Sequence, residues 1–280
     1  MIEDSALGRW RLDVCRPRAA LAPLVSQLWF GEGQVNYRRD RILPGGGSFL
    51  LINLGPTQYR IEAGPPERRI AFDDIWFCGM HQTPIETEVP DGSILLGIAF
   101  RGHGVRPWLH VDADHCADRV LPLTDLLGDS ALVLRQRLLE CPSTSRRFGM
   151  VEEWLMQRLQ PRFETSGLAR WALQQIESSY GRTSVDALAR QAGVSRRHLG
   201  QTLRREIGLG SKSLTRVHRF KFALQWLGRC ERIPWVELAA HCGYYDQSHL
   251  IRDFQTFSGM SPGELVRCAR PDAGSIVVAP

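Results

Sequence analysis

The sequence predicts an α+β chain of two domains: a small N-terminal β-barrel with following helices, then an all-α C-terminal domain with two helix-turn-helix motifs. Three observations predict it. Residues 26–100 break into short β-rich runs separated by Gly, Pro and Asp clusters, the rhythm of a small barrel or sandwich. Residues 185–208 (VDALARQAGVSRRHLGQTLRREIG) and 235–259 (WVELAAHCGYYDQSHLIRDFQTFSG) repeat one pattern: a short helix, a turn at Gly, a second helix. The charge is divided. Residues 166–270 hold 16 Lys and Arg against 8 Asp and Glu, a net +8, whereas the remainder holds 19 against 22, a net −3. A basic third beside a mildly acidic remainder is the footprint of a nucleic-acid module joined to something else.

The N-terminal strands are expected in SQLWFGE, RDRILP, SFLLINL, QYRIEA, RIAFDDIWF, IETEV and SILLGIAF, divided by Pro44-Gly45-Gly46-Gly47, Gly64-Pro65-Pro66 and Pro90-Asp91-Gly92. Past Arg106-Pro107 the period changes. Thr124 and Asp125 open a helix in which Leu126, Leu127, Ala131, Leu134 and Leu138 keep helical spacing to Glu140. A second helix places Met150, Trp154, Leu155 and Leu159 on one face and stops at Pro161. These two helices either pack on the barrel or form a dimer interface. Residues 1–160 thus read as the barrel with its following helices, 161–167 as a linker, 168–270 as the double helix-turn-helix domain, and 271–280 as a flexible tail.

In the C-terminal domain Leu168, Trp171, Ala172, Ile176 and Tyr180 line one helix face, and Gly181 ends it. The repeat aligns Gly193 with Gly243, Leu199 with Leu250, Leu203 with Phe254, and Gly208 with Gly259. Ser195 and Asp246 stand where an N-cap is needed, since their side-chain oxygens can satisfy free backbone N–H groups. Leu199, Leu203 and Ile207 must face inward, which leaves Arg196, Arg197, Gly200, Gln201 and Arg204 outward. Leu250, Phe254 and Phe257 do the same in the second copy, leaving Gln247, Ser248, Arg252 and Gln255 outward. A helix fits the major groove, where Arg pairs with guanine and Gln with adenine, so both sets are candidate base readers. Lys212, Arg216 and Arg219 on the connecting helix are candidate phosphate contacts, which set register rather than sequence. That helix, at about 1.5 Å per residue, spans roughly 27 Å. It can hold the readers near one DNA turn, ~34 Å, apart.

The best-matching stretches are Ala189-x-x-Ala192-Gly193-Val194-Ser195-x-Arg197-His198-Leu199, then Arg219-Phe220-x-x-Ala223-x-x-x-Leu227. The third is Leu238-Ala239-x-x-x-Gly243-Tyr244-x-Asp246-Gln247-Ser248-His249-Leu250-x-Arg252-x-Phe254, continuing through Phe257-x-Gly259-Met260-Ser261-Pro262. Over about residues 170–267 they resemble the AraC/XylS family of bacterial transcription regulators. The resemblance implies a DNA-binding transcription factor acting at promoters, as activator or repressor, with an N-terminal half that senses a ligand or mediates dimerisation. Carried over by position, it adds His249 to the base readers. Three positions depart from the family pattern: Gly200 has no side chain to read with, Gln201 stands where Arg is frequent, and Tyr244 stands where Phe is usual. The first reader is therefore expected to lean on Arg196, Arg197 and Arg204. The N-terminal half resembles the cupin-like β-barrel of such regulators by strand rhythm and order.

Within that barrel Trp29, Tyr59, Trp76, Phe100 and Trp108 are candidates to line a small-molecule pocket, with Arg101 or His81 as polar anchor. The competing reading is plain core packing. No metal site is expected: His81, His103, His110 and His115 lack the H-x-H and nearby Glu of metal-binding cupins. Pro44-Gly45-Gly46-Gly47-Ser48 is not a phosphate loop, because no Lys and no helix follow. Seven scattered cysteines (15, 78, 116, 141, 230, 242, 268) favour reduced thiols and a cytoplasmic location, and no cofactor or enzymatic activity is expected. The expected partner is double-stranded promoter or operator DNA, and no membrane. RNA polymerase, a small-molecule effector and a second copy of the chain stand open as further partners. The alternative is a small-molecule-binding or metal-dependent cupin-like protein in which the helical domain is structural.

Overall fold

The computed structural model describes residues 2–227, 234–272 and 274–278. The N-terminal strands are β1 (Ile2–Ser5), β2 (Gly8–Cys15), β3 (Val25–Val35), β4 (Arg39–Ile42), β5 (Ser48–Asn53), β6 (Gln58–Glu62), β7 (Arg68–Phe72), β8 (Ile75–Cys78), β9 (Ile85–Glu88), β10 (Ser93–Phe100) and β11 (Val120–Pro122). They form two antiparallel sheets rather than one closed barrel. The larger runs β1-β2-β3-β10-β5-β8-β11. The smaller runs β4-β9-β6-β7 and gains a fifth strand, β12 (Ser275–Val277), on the outer edge of β4. The run RIAFDDIWF, which reads as one strand, is divided between the sheets: β7 lies in the smaller, β8 in the larger.

Side chains alternate across a strand, and that period decides where the core sits. Leu28 and Phe30, Leu50 and Ile52, Ile75 and Phe77, and Leu96 and Ile98 share one face of the larger sheet and are buried. They pack against α1 (Arg106–Leu109), α2 (Leu123–Leu127), α3 (Ser130–Glu140) and α4 (Thr144–Arg158) through Trp108, Leu134, Leu138, Phe148, Val151 and Leu155. Each such side chain contributes about 1.5–3 kcal/mol by leaving water. The helices at 123–158 thus cover the sheet, while Leu132, Val133, Leu139 and Met156 remain exposed.

Trp29 lies on the opposite face of the larger sheet. Its indole crosses Gly97, its partner in the β3–β10 register, so closely that a Cβ there would overlap the ring. Gly97→Val is expected to destabilise the chain by about 1–3 kcal/mol through overpacking. Urea unfolding tests this, and unchanged stability would show that the indole does not occupy that site.

The C-terminal domain comprises α5 (Gly167–Ser178), α6 (Val185–Gln191), α7 (Arg196–Ile207), α8 (Ser211–Leu227), α9 (Trp235–His241), α10 (Gln247–Ser258) and α11 (Pro262–Arg267). Its core unites Leu173, Ile176, Leu199, Leu203, Phe220, Leu224, Leu250, Phe254 and Phe257. Leu43, Met80 and Ile276 enter the same apolar cluster from the N-terminal sheets, so the two halves share an interface. A polar contact reinforces it: Arg41 Nη1 donates to Ser258 O at 2.9 Å. Within the C-terminal half, Glu206 Oε2 of α7 accepts from Ser166 N, at the cap of α5, at 2.7 Å. His218 of α8 is buried against Gly46 of the Pro44–Gly47 turn.

The tail at 271–280 differs from expectation. Ser275–Val277 pairs with Ile42–Asp40, Leu43 N donates to Gly274 O at 2.7 Å, and Val278 N to Arg39 O at 3.0 Å. Ile276 is fully buried. An open strand edge and a β-branched side chain with apolar cover available explain why three residues suffice. Six described cysteines are free, and Cys230 lies outside the described residues. No described helix is long and apolar enough to cross a membrane.

Candidate nucleic-acid interface

Each reader begins with a cap. Ser195 Oγ accepts from His198 N at 3.1 Å, and Asp246 Oδ1 accepts from His249 N at 2.7 Å. These bonds fix where α7 and α10 start and satisfy one otherwise free donor in each. Both helices end at a glycine in the left-handed region, Gly208 (φ 108°) and Gly259 (φ 74°), where a side chain would be strained. Between those stops the inward residues Leu199, Leu203 and Ile207, and Leu250, Phe254 and Phe257, are buried. The expected periodicity is the one observed.

The outward residues are set by that anchoring. Arg196, Arg197, Gln201 and Arg204 on α7 are exposed, as are Gln247, Ser248, Arg252 and Gln255 on α10. Arg196 Nε rests 3.0 Å from Asp186 Oδ1 of α6, a surface pair worth little in solution and readily exchanged. Arg204 lies back towards the α7–α8 turn at Gly210. His249 is half-buried, its ring edge-on to Tyr244 at 5.2 Å, so it presents less surface than its neighbours.

Two of the three candidate phosphate contacts are engaged elsewhere. Lys212 is exposed at the start of α8. Arg216, in contrast, donates from Nε (3.0 Å) and Nη2 (2.7 Å) to Oδ1 of buried Asp253 on α10, with its guanidinium 5.1 Å from the Phe257 ring. Arg219 donates to Gly181 O at 3.1 Å and lies over the Tyr244 ring at 5.3 Å. Both are clamps holding α8 to its neighbours. Spacing along one helix places them beside the apolar stripe and does not show which residues face them. Tyr245 went unnoticed in the sequence. It is 94% exposed in the turn before α10, while adjacent Tyr244 is 4% exposed. An aromatic in a turn beside a cap residue is the signal that could have found it.

Residues 188–267 match the family model described as a helix-turn-helix domain, a span that runs from α6 to the end of α11 and takes in both capped readers. The chain carries an AraC-type helix-turn-helix domain. Its residues 13–122 match a second model, described as a domain of unknown function (DUF6597). No curated protein matches the chain. Among solved structures, the chain is similar to the C-terminal domain of AraT, a response regulator from Geobacillus stearothermophilus, at 26% identity, covering 36% of this chain and 84% of that one (TM-score 0.33). It is similar to ToxT from Vibrio cholerae at 9% identity, covering 92% and 97% (TM-score 0.45). It is similar to the AraC-like transcriptional activator CuxR at 15% identity, covering 77% and 86% (TM-score 0.26). With its AraC-type domain, the chain carries the DNA-binding module of a transcription regulator.

The aromatic and polar residues expected to line one pocket in the half preceding the AraC-type domain do not come together. Phe100 and Trp108 lie in the helix-side core, rings 5.3 Å apart, with Trp154 against Trp108 at 5.2 Å. Trp29 covers Gly97 on the other face of the sheet. Trp76 packs on Phe72 at 4.7 Å, between the sheets. Tyr59 lies beneath the Arg69 guanidinium at 4.0 Å. Arg101 is exposed and donates to Ala22 O at 2.8 Å. His81 is among the residues lining a cavity of about 100 Å³, with Arg60, Glu86, Asp118 and Arg119. Composition gathers aromatics, but strand alternation sends Trp29 and Phe30 to opposite faces. Among the described residues no group of three or more His, Cys, Asp or Glu is arranged to hold a metal ion.

Proposed function

We propose that the chain reads operator DNA sequence-specifically through α7 and α10, which enter successive major-groove segments of one duplex, under control of a small-molecule effector in the N-terminal half. The observation that carries this reading is the pair of capped, glycine-terminated helices, each with an exposed polar face. The 17-residue α8 joins them, a spacing of about 25 Å along its axis. Arg196, Arg197, Gln201, Arg204, Gln247, Ser248, His249 and Arg252 are the proposed base readers. Arg197 and Arg252 are the side chains freest to reach guanine. Lys212 is the proposed phosphate contact on α8. Location with the chromosome, in the cytoplasm, follows from that target, and contact with RNA polymerase and a second copy of the chain belongs to the same proposal.

Arg252→Ala tests it. On a DNA fragment selected from the genome by the protein, the loss is expected to be about 1–3 kcal/mol, concentrated at one base position. Fluorescence anisotropy on the fragment and on point-substituted copies measures this. An equal loss on every sequence, random DNA included, would reduce Arg252 to a phosphate contact. The affinity of the full chain should fall with salt on a log–log line, with a slope of about −0.9 per phosphate neutralised.

A further inference from the structure

The two readers share one plan as far as the turn and then differ by a single residue. In the first, Gly193 N donates to Arg190 O at 3.1 Å and Val194 N to Ala189 O at 3.0 Å. In the second, Gly243 N donates to Ala240 O at 3.0 Å and Tyr244 N to Ala239 O at 2.9 Å. Tyr244 therefore stands in the place of Val194, and it is buried. The cap follows at once in the first copy, at Ser195. In the second it comes one residue later, at Asp246. The residue added between turn and cap is Tyr245.

Tyr245 is 94% exposed, so its ring packs on nothing in the chain. Its main chain is fixed all the same. The residue before it is buried, and the residue after it holds His249 N through the cap bond. A tyrosine offers a flat apolar body with a donor at its tip, which suits a surface that is part apolar and part wet. The two caps also differ in charge. Ser195 is neutral, whereas Asp246 sets an exposed carboxylate at the N-terminal end of α10. A recognition helix enters the major groove by its N-terminal residues, so the turn before it passes the sugar–phosphate backbone. The end of α7 can approach a phosphate directly. The end of α10 cannot do so without bringing two negative charges together. A neutral donor that reaches past the carboxylate removes the conflict. No Lys or Arg stands in residues 242–246 to do this instead.

We propose that Tyr245 is a DNA contact of the second reader. Its phenol O–H donates to a phosphate at the edge of the groove that α10 enters, and this sets the register in which Gln247, Ser248 and Arg252 meet the bases. The first reader has no counterpart. The proposal rests on the operator reading above and adds to it a residue that positions the helix without reading sequence.

Tyr245→Phe in the full chain keeps the ring and removes only the donor, and the exposed position leaves the fold intact. On the fragment selected from the genome, fluorescence anisotropy is expected to show affinity about tenfold lower, the scale of a lost hydrogen bond to a charged group. The factor should be the same on every point-substituted copy, because a phosphate carries no base identity. The salt slope should equal the parent's, because a neutral donor releases no counterion. Copies of the fragment with single phosphates replaced by methylphosphonate then locate the partner. At one position the Tyr245→Phe loss should shrink to less than about threefold, since the charge that strengthened the bond is gone. A loss below about twofold on the unmodified fragment overturns the proposal. So does a loss concentrated at one base pair, which would make Tyr245 a base reader, or a loss undiminished at every methylphosphonate. The two readings fail separately. If the parent binds no duplex DNA, both fall; if the parent binds and Tyr245→Phe binds equally well, only this contact falls.

Discussion

Asp253→Ala is expected to lower stability by about 3 kcal/mol, the lower end of the cost of breaking a buried ion pair. Asp253 is 1% exposed, and its Oδ1 takes both Arg216 bonds. Removing it strands a guanidinium that retains some solvent, since the Arg216 side chain is 31% exposed. That partial hydration keeps the effect from reaching the upper end of the range. The paired change Arg216→Met with Asp253→Leu should recover most of the loss, because neither charge is then left alone. Urea unfolding measures both. Arg216→Met alone separates clamp from phosphate contact. If Arg216 holds α8 to α10, the salt slope of DNA binding by the folded variant stays as in the parent. A slope shallower by about 0.9 would mean that the side chain neutralises a phosphate.

His218 sets the second expectation. Burial, with Lys221 as a smaller cause, pushes its pKa down from 6.5 to about 4. The folded chain therefore holds the ring neutral where the unfolded chain would protonate it. Stability from this group is complete above pH 6.5 and is lost as pH falls towards 4. The total is about 3 kcal/mol at 1.36 kcal/mol per pKa unit. Asp40 opposes it. Burial raises that carboxyl to about 6, so protonation between pH 6 and 3.8 favours the folded state. The parent's pH profile is consequently flattened, and the His218 contribution is read from a difference. Thermal midpoints of the parent and of His218→Leu should diverge between pH 4 and 6.5, with the variant less sensitive to acid. Parallel profiles would show that the ring is not held neutral against the Pro44–Gly47 turn.

The readers were legible because their signals are local. Ser195 and Asp246 are caps within three residues of their partners, Gly208 and Gly259 are stops, and the inward residues recur at the helical period. The α2–α3 break at Gly128–Asp129 is a smaller matter of the same kind, since the apolar spacing carries across it. The pairing of Arg216 with Asp253 joins residues 37 apart, and no periodicity on α8 points to α10. β12 was illegible for a related reason. Three residues cannot display alternation, and the edge that receives them lies more than 200 positions earlier in the chain. The supposed aromatic pocket failed because it was assembled from residue type. Strand parity would have separated Trp29 from Phe30, and with it the two sides of the larger sheet. The His81 cavity joins Arg60, Glu86 and Asp118, residues too far apart in the chain for any local signal to gather them.

The strand at Ser275–Val277 makes the main chain cross twice between the halves, once outward through residues 161–166 and once home again. The return crossing is itself anchored, because Ile276 is buried in the apolar cluster that the two halves share. While β12 stays paired, an event in the sheets that shifts β4 carries the far end of the reader domain along with it. Pulling the last strand free would leave that load to the side chains alone.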